Sequence, residues 1–118
     1  MKNLFLLTTA ICFSLISFSQ TVPLDSVAKY EGKTITVCSK VLGTHVSSGE
    51  KKNTTLNFGK PYPDNTFTVF IGESDLANFK YNPSEFLNDK NICITGVVKM
   101  YKDKPEIIVS KEEQIKIQ

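Results

Sequence analysis

The chain has 118 residues, with 14 basic and 12 acidic side chains, a single His and no Trp. That length supports one modest core and excludes a binding domain fused to a full-sized catalytic domain. Every basic residue is a lysine and the formal charge is only +2, which excludes a strong electrostatic pull on polyanions.

The opening MKNLFLLTTAICFSLISFSQ places Lys2 ahead of an apolar run from Leu4 to Phe18, with Ser17 and Ser19 three and one before a cut ahead of Gln20. This predicts a secretory signal peptide over residues 1–19. The apolar run falls short of the roughly 20 residues that a spanning helix needs, and Ile11 stands where a lipobox before Cys12 wants Gly or Ala. Cleavage leaves one domain, residues 20–118, in the periplasm or outside the cell, with 13 lysines against 12 acids and no stable membrane insertion. Cys38 and Cys93 then remain. An exported chain can bridge them, or they can sit as two separate buried thiols.

VPLDSVAKYEGK, 22–33, offers Asp25 or Ser26 as a cap, one helical turn through Tyr30 and Gly32 as its stop. KTITVCSKVLGTHV, 33–46, alternates, with Ile35, Val37, Ser39 and Val41 on one side and Thr34, Thr36, Cys38 and Lys40 on the other. It reads as one long, half-buried strand. SSGEKKNT is a polar loop, and TLNF a second strand with Leu56 and Phe58 on one face. Residues 59–65, GKPYPDN, must be a loop: Gly59 can take φ > 0, Pro61 and Pro63 cannot donate to a ladder, and Asp64-Asn65 favours a turn. TFTVFI, 66–71, is the third strand, with Phe67, Val69 and Ile71 together.

GESDLANFKYNPSEFLNDK, 72–90, holds two helix starts, at Ser74-Asp75 and at Asn82-Pro83-Ser84-Glu85, the second with cap, N1 proline and N3 glutamate in place. NICITGVVKMY is a fourth strand, bent or broken at Gly96. KDK is a tight turn, PEIIVS a fifth strand, and KEEQIKI an exposed tail in which Ile115 and Ile117 can add a last short pairing.

GKTITVCSKVL and DKNICITGVVK superpose, with Ile35 on Ile92, Val37 on Ile94 and Ser39 on Gly96. A small residue midway along two long alternating strands suits a sharply coiled barrel, because a bend is easiest where no large side chain intrudes. Three strands, a short helix and two more strands is the order of the OB-fold, a five-stranded Greek-key barrel, with the helix between strands 3 and 4. Strand one is expected to be longest, bent near Ser39. In such a barrel strands 1 and 4 are neighbours, but the echo sets Cys38 one step from the residue equivalent to Cys93, so the expectation is two free thiols.

YEGKTITVCSKV, LNFGKPYPDNTFTVFI, NICITGVVKMYKDKPEIIVS and the closing QIKI resemble small exported bacterial OB-fold domains, found alone or attached to secreted nucleases, in the nucleic-acid-binding OB superfamily. The resemblance covers nearly all of residues 27–117. Ser39 departs from it, standing where such domains usually carry Gly. The resemblance implies a binding module more firmly than it implies a particular ligand. The Lys- and Asn-rich, Arg-free composition also has a bacterial character.

A hydrolase needs a nucleophile with its base, or grouped metal ligands. The chain has one His, no Arg and no HExxH or CxxC pattern. His45 reads as a solvated surface residue and Glu112-Glu113 as a solvated run. No enzymatic activity and no cofactor are therefore expected.

OB barrels bind through the face of strands 2 and 3 and the loops joining strands 1–2 and 4–5. Here that surface draws Thr55 and Asn57, Thr68 and Phe70, then Lys51, Lys52 and Asn53 from the first loop and Tyr101, Lys102 and Lys104 from the second. Phe70 and Tyr101 are placed to stack bases while lysines track phosphates. The competing expectations are burial of Phe70 under the N-terminal turn or the helical segment, and simple solubility for the lysines. Tyr62 is expected to pack as a lid over the barrel end, its hydroxyl bonded to backbone. Single-stranded DNA or RNA is the partner that the resemblance implies. A protein partner in the cell envelope or a small ligand is the rival, favoured by the near-neutral charge.

Overall fold

The computed structural model describes residues 20–118, and the expected signal peptide lies outside them. Eight strands form the domain: β1 (Gln20–Val22), β2 (Thr34–Lys40), β3 (Gly43–Val46), β4 (Thr54–Phe58), β5 (Phe67–Ile71), β6 (Asn91–Tyr101), β7 (Lys104–Ile108) and β8 (Ile115–Ile117). The α-helix α1 (Pro83–Phe86) and a 3-10 turn (Glu73–Asn78) fill the interval between β5 and β6. No described helix is long and apolar enough to cross a membrane.

The pairings close a ring. β2 runs antiparallel to β6, β6 to β7, and β7 parallel to β5. β5 then pairs antiparallel with β4, and β4 with β3. β3 continues β2 after only two residues, and those two make the closure: Val41 N–H donates to the Lys90 carbonyl (2.9 Å), whereas Leu42 N–H donates to the Asn57 carbonyl (2.8 Å). Consecutive amides thus serve opposite neighbours. This is the all-β, OB-type barrel, with apolar residues of alternating positions inside it: Ile35 and Val37, Leu56 and Phe58, Phe67 and Val69.

Three details depart from the sequence reading. The expected first strand is divided into β2 and β3, and its bend lies at Val41-Leu42, beyond Ser39, which is still in the ladder opposite Ile92. The break falls where the strand must leave β6 and join β4, a demand of closure rather than of side-chain size. β6, with 11 residues, is the longest strand, and it runs unbroken through Gly96. Its partner across one edge changes instead, from β8 at Ile92–Ile94 to β7 from Val98. A Cβ on Gly96 would come within 2.5 Å of Ile107 Cγ2, so the small residue admits a neighbouring side chain. The count rises from five to eight through this division and through two edge additions, β1 parallel to β2 and β8 on β6.

Cys38 and Cys93 are bonded to one another, which corrects the expectation of free thiols. They are direct partners in the β2–β6 ladder, with Cα atoms 4.0 Å apart. A parallel echo between two strands carries no information about their antiparallel register, and the register decided the matter.

The helical segment follows local chemistry only in its second half. Asn82 caps α1, its Oδ1 accepting from Ser84 N–H at 3.2 Å, with Pro83 at the first helical position. The preceding turn starts at Glu73 behind Gly72, without a side-chain cap, rather than at Ser74-Asp75. Leu87 from this segment is fully buried in the core. In the tail, the Gln114 amide donates to the Thr95 carbonyl (3.1 Å) while its oxygen accepts from Ser110 N–H (2.9 Å). That anchorage is what delivers β8 to β6.

Candidate binding face

Alternation in β4, β5, β6 and β7 sends every second side chain out of the barrel, and the ladder registers assemble these into rows. One row crosses His45, Thr55, Phe70 and Ile108. The next crosses Asn57, Thr68, Glu106 and Lys99. A third holds Lys104 and Tyr101. Rows two residues apart along a strand lie about 7 Å from one another.

The predicted site residues are brought onto this face and its rims, but in unequal condition. Phe70 is half-buried, one ring atom 3.9 Å from where a Cβ on Gly72 would sit, and it does not belong to the core. Neither full burial, under the N-terminal turn or the helical segment, nor full exposure describes it, and its neighbour Gly72 stands at the start of the helical segment. Tyr101 is 53% exposed, with Lys102 Nζ 5.4 Å from its ring centroid. Asn57 points outward yet is only 4% exposed.

The loop of residues 59–66 returns onto the same row, at Thr68. Asn65 folds back on the face, its amide donating to the Thr68 hydroxyl at 2.7 Å. Lys104 Nζ donates to the Pro63 carbonyl (2.6 Å) and lies 3.4 Å from Asn65 Oδ1. Thr68 and Lys104 are thereby engaged within the domain. Tyr62, expected as a lid, is instead 76% exposed, because Asn65 takes the inward position on this loop. The return of the loop depends on Gly59, at φ +85°, where a Cβ would meet Thr66 Oγ1 at 2.0 Å.

At the opposite rim, Asn53 is a brace. Its backbone N–H donates to Ser47 Oγ (2.9 Å) and its side-chain oxygen accepts from Glu73 N–H (3.1 Å). Lys52 contributes its backbone N–H to the Glu73 carboxylate. The ammonium groups of Lys51 and Lys52 are exposed and have no ion-pair partner among the described residues.

Glu106 is a residue of this face that no motif in the sequence marks. It occupies the middle of the central row, only 7% exposed, with Lys99 Nζ 4.0 Å from Oε1. Burial pushes its carboxyl above the ordinary range, and the Lys99 charge opposes that rise. Strand alternation could have placed it outward, but nothing local signals its covering. Among the described residues no group of three His, Cys, Asp or Glu side chains is arranged to hold a metal ion.

No protein-family model and no curated protein sequence matches the chain. Solved structures do resemble it in fold. The crystal structure of yeast Stn1 and Ten1 superposes with a TM-score of 0.59 at 14% identity, covering 89% of this chain and 65% of that one. This chain therefore spans less than two thirds of that neighbour. An inferred aspartyl-tRNA synthetase from Leishmania major matches with a TM-score of 0.50 at 13% identity, over 89% of this chain and 22% of that one.

Proposed function

We propose that this chain is an exported, non-enzymatic OB-fold module that binds single-stranded nucleic acid, or another oligomeric ligand, across the outer face of β4 and β5. The observation that carries the reading is the placing of an exposed ring, Tyr101, and a half-buried one, Phe70, on one face with Lys51 and Lys52 at the rim, neither lysine having an ion-pair partner among the described residues. Stacking on exposed rings with lysines tracking the backbone is how such proteins hold single strands without strong sequence preference. A structural disulfide supports export to the periplasm or beyond, since such bonds persist in oxidising compartments.

The test is a titration of residues 20–118 with fluorescent single-stranded DNA and RNA at two salt concentrations. Weak binding, micromolar or poorer, is expected at physiological salt, because so small a net charge releases few counterions. Phe70→Ala should weaken it by about 1 to 3 kcal/mol through lost stacking, and Lys51→Ala with Lys52→Ala should weaken all sequences alike and flatten the salt dependence. Absence of binding even at low salt removes the nucleic-acid reading.

One observation favours a second reading. The centre of the face carries a carboxylate rather than a free cation, and Ile108 beside it is 42% exposed. A protein partner in the cell envelope, or a small ligand, suits that combination, and the same surface is where it would dock.

A further inference from the structure

The registers that build the binding face also set a diagonal across it. Thr68 pairs with Glu106 and Phe70 with Ile108, so Phe70 and Glu106 are diagonal neighbours on β5 and β7. Lys99 pairs with Glu106 and Tyr101 with Lys104, so Glu106 and Tyr101 are diagonal neighbours on β7 and β6. With neighbouring strands about 4.8 Å apart and rows about 7 Å apart, each diagonal step is about 8 Å. The order along it is ring, carboxylate, ring.

The carboxylate in the middle is poorly satisfied. Its nearest charged partner, Lys99 Nζ, stands at 4.0 Å, beyond hydrogen-bond reach, and it accepts no hydrogen bond from any described residue. No described side-chain oxygen is sealed from solvent without a partner, so each carboxylate oxygen keeps a narrow contact with solvent in a side chain that is 10% exposed. An acceptor that has lost most of its water and gained no donor is held at a cost, which a ligand bringing donors would offset. Its upward-shifted pKa, caused first by burial, is consistent with that state.

We infer that Glu106 is a specificity-determining residue that reads guanine in a single strand whose flanking bases stack on Phe70 and Tyr101. This rests on the nucleic-acid reading above. An ionised carboxylate offers two acceptor oxygens and no donor. The Watson–Crick edge of guanine presents two parallel donors, N1–H and the 2-amino group, which match both oxygens. Adenine and cytosine each offer one amino group beside an acceptor nitrogen, and thymine and uracil offer one N–H between two carbonyls. Each of those edges sets a lone pair against the carboxylate, so guanine alone is accepted in full. A bidentate side-chain contact of this kind discriminates between bases by about ten-fold or more.

The experiment uses residues 20–118 and 5′-fluorescein oligothymidylates in which one central base is thymine, guanine, hypoxanthine, adenine or cytosine, read by anisotropy at low salt and neutral pH. Guanine should bind about ten-fold tighter than thymine. Hypoxanthine, which lacks the 2-amino group, should fall between. Glu106→Gln should lose the guanine preference while still binding, and a matched melting curve checks its fold. Glu106→Asp, which keeps the charge but withdraws it by one methylene, should also lose the preference and serves if the Gln variant does not fold. Equal binding of all five oligomers by the native protein, or an undiminished guanine preference in a folded Glu106 variant, overturns this inference and leaves the binding module standing. No binding to any oligomer overturns both.

Discussion

Replacing Cys38 and Cys93 together by Ala should destabilise the domain by about 4 kcal/mol. The bridge joins residues 55 apart in sequence. In the chain-entropy description, closing a loop of that length removes about 14 cal/mol/K from the unfolded ensemble, or about 4 kcal/mol at 25 °C. Both cysteines are only half-buried, so truncation leaves little cavity and the cross-link dominates the difference. For a domain of this size the change corresponds to a fall in Tm of roughly 15 to 30 °C. Urea unfolding of the native protein, of the native protein with reductant, and of the double variant is the assay. The last two should agree with each other and differ from the first, with a larger m-value because the unfolded chain expands. If reduction and the double substitution each shift stability by less than about 1 kcal/mol, the entropic argument fails for this bridge. If denatured, unreduced protein titrates two thiols, the bridge itself is absent.

Glu106→Gln should raise stability at neutral pH. The folded-state pKa lies above the ordinary value of 4.5, so ionisation withdraws stability as pH rises from that value through the folded pKa, and the amide escapes the loss. The gain should vanish below pH 4.5, where both states hold the proton; a gain that persists in acid means charge is not its source. Gly59→Ala should cost about 1 to 2 kcal/mol from its left-handed backbone alone, and more from displacing Thr66, as measured by denaturant midpoint. Gly96→Ala should cost about 1 to 3 kcal/mol by crowding Ile107, and Ile107→Ala added to it should lose less than the sum of the two, the mark of direct contact. Lys102→Asn with Asp103→Gly should stabilise by about 0.5 to 1 kcal/mol, since both residues sit at positive φ in the β6–β7 turn, and unchanged stability would show that the turn is not under strain.

What the sequence determined by itself was whatever depends on neighbours a few residues away. Period-two alternation in TLNF and TFTVFI grouped Leu56 with Phe58, and Phe67 with Val69 and Ile71, on one face before any partner was known, and all five are fully buried. Asn82-Pro83 started α1 because a cap and an N1 proline act within one turn. The order of these elements then sufficed for an OB barrel. Registers and returns between distant strands were decided only by the tertiary structure. Cys38 faces Cys93, and Glu106 faces Thr68 and Lys99, because closing the ring fixes which residues stand opposite. A two-residue slip would keep every side chain on its face and leave the local patterns unchanged, whereas a one-residue slip would turn the apolar set outward. The break at Val41-Leu42 and the hold of Lys104 on the Pro63 carbonyl have the same origin. They satisfy backbone and side-chain donors whose partners lie on segments that the local sequence cannot see.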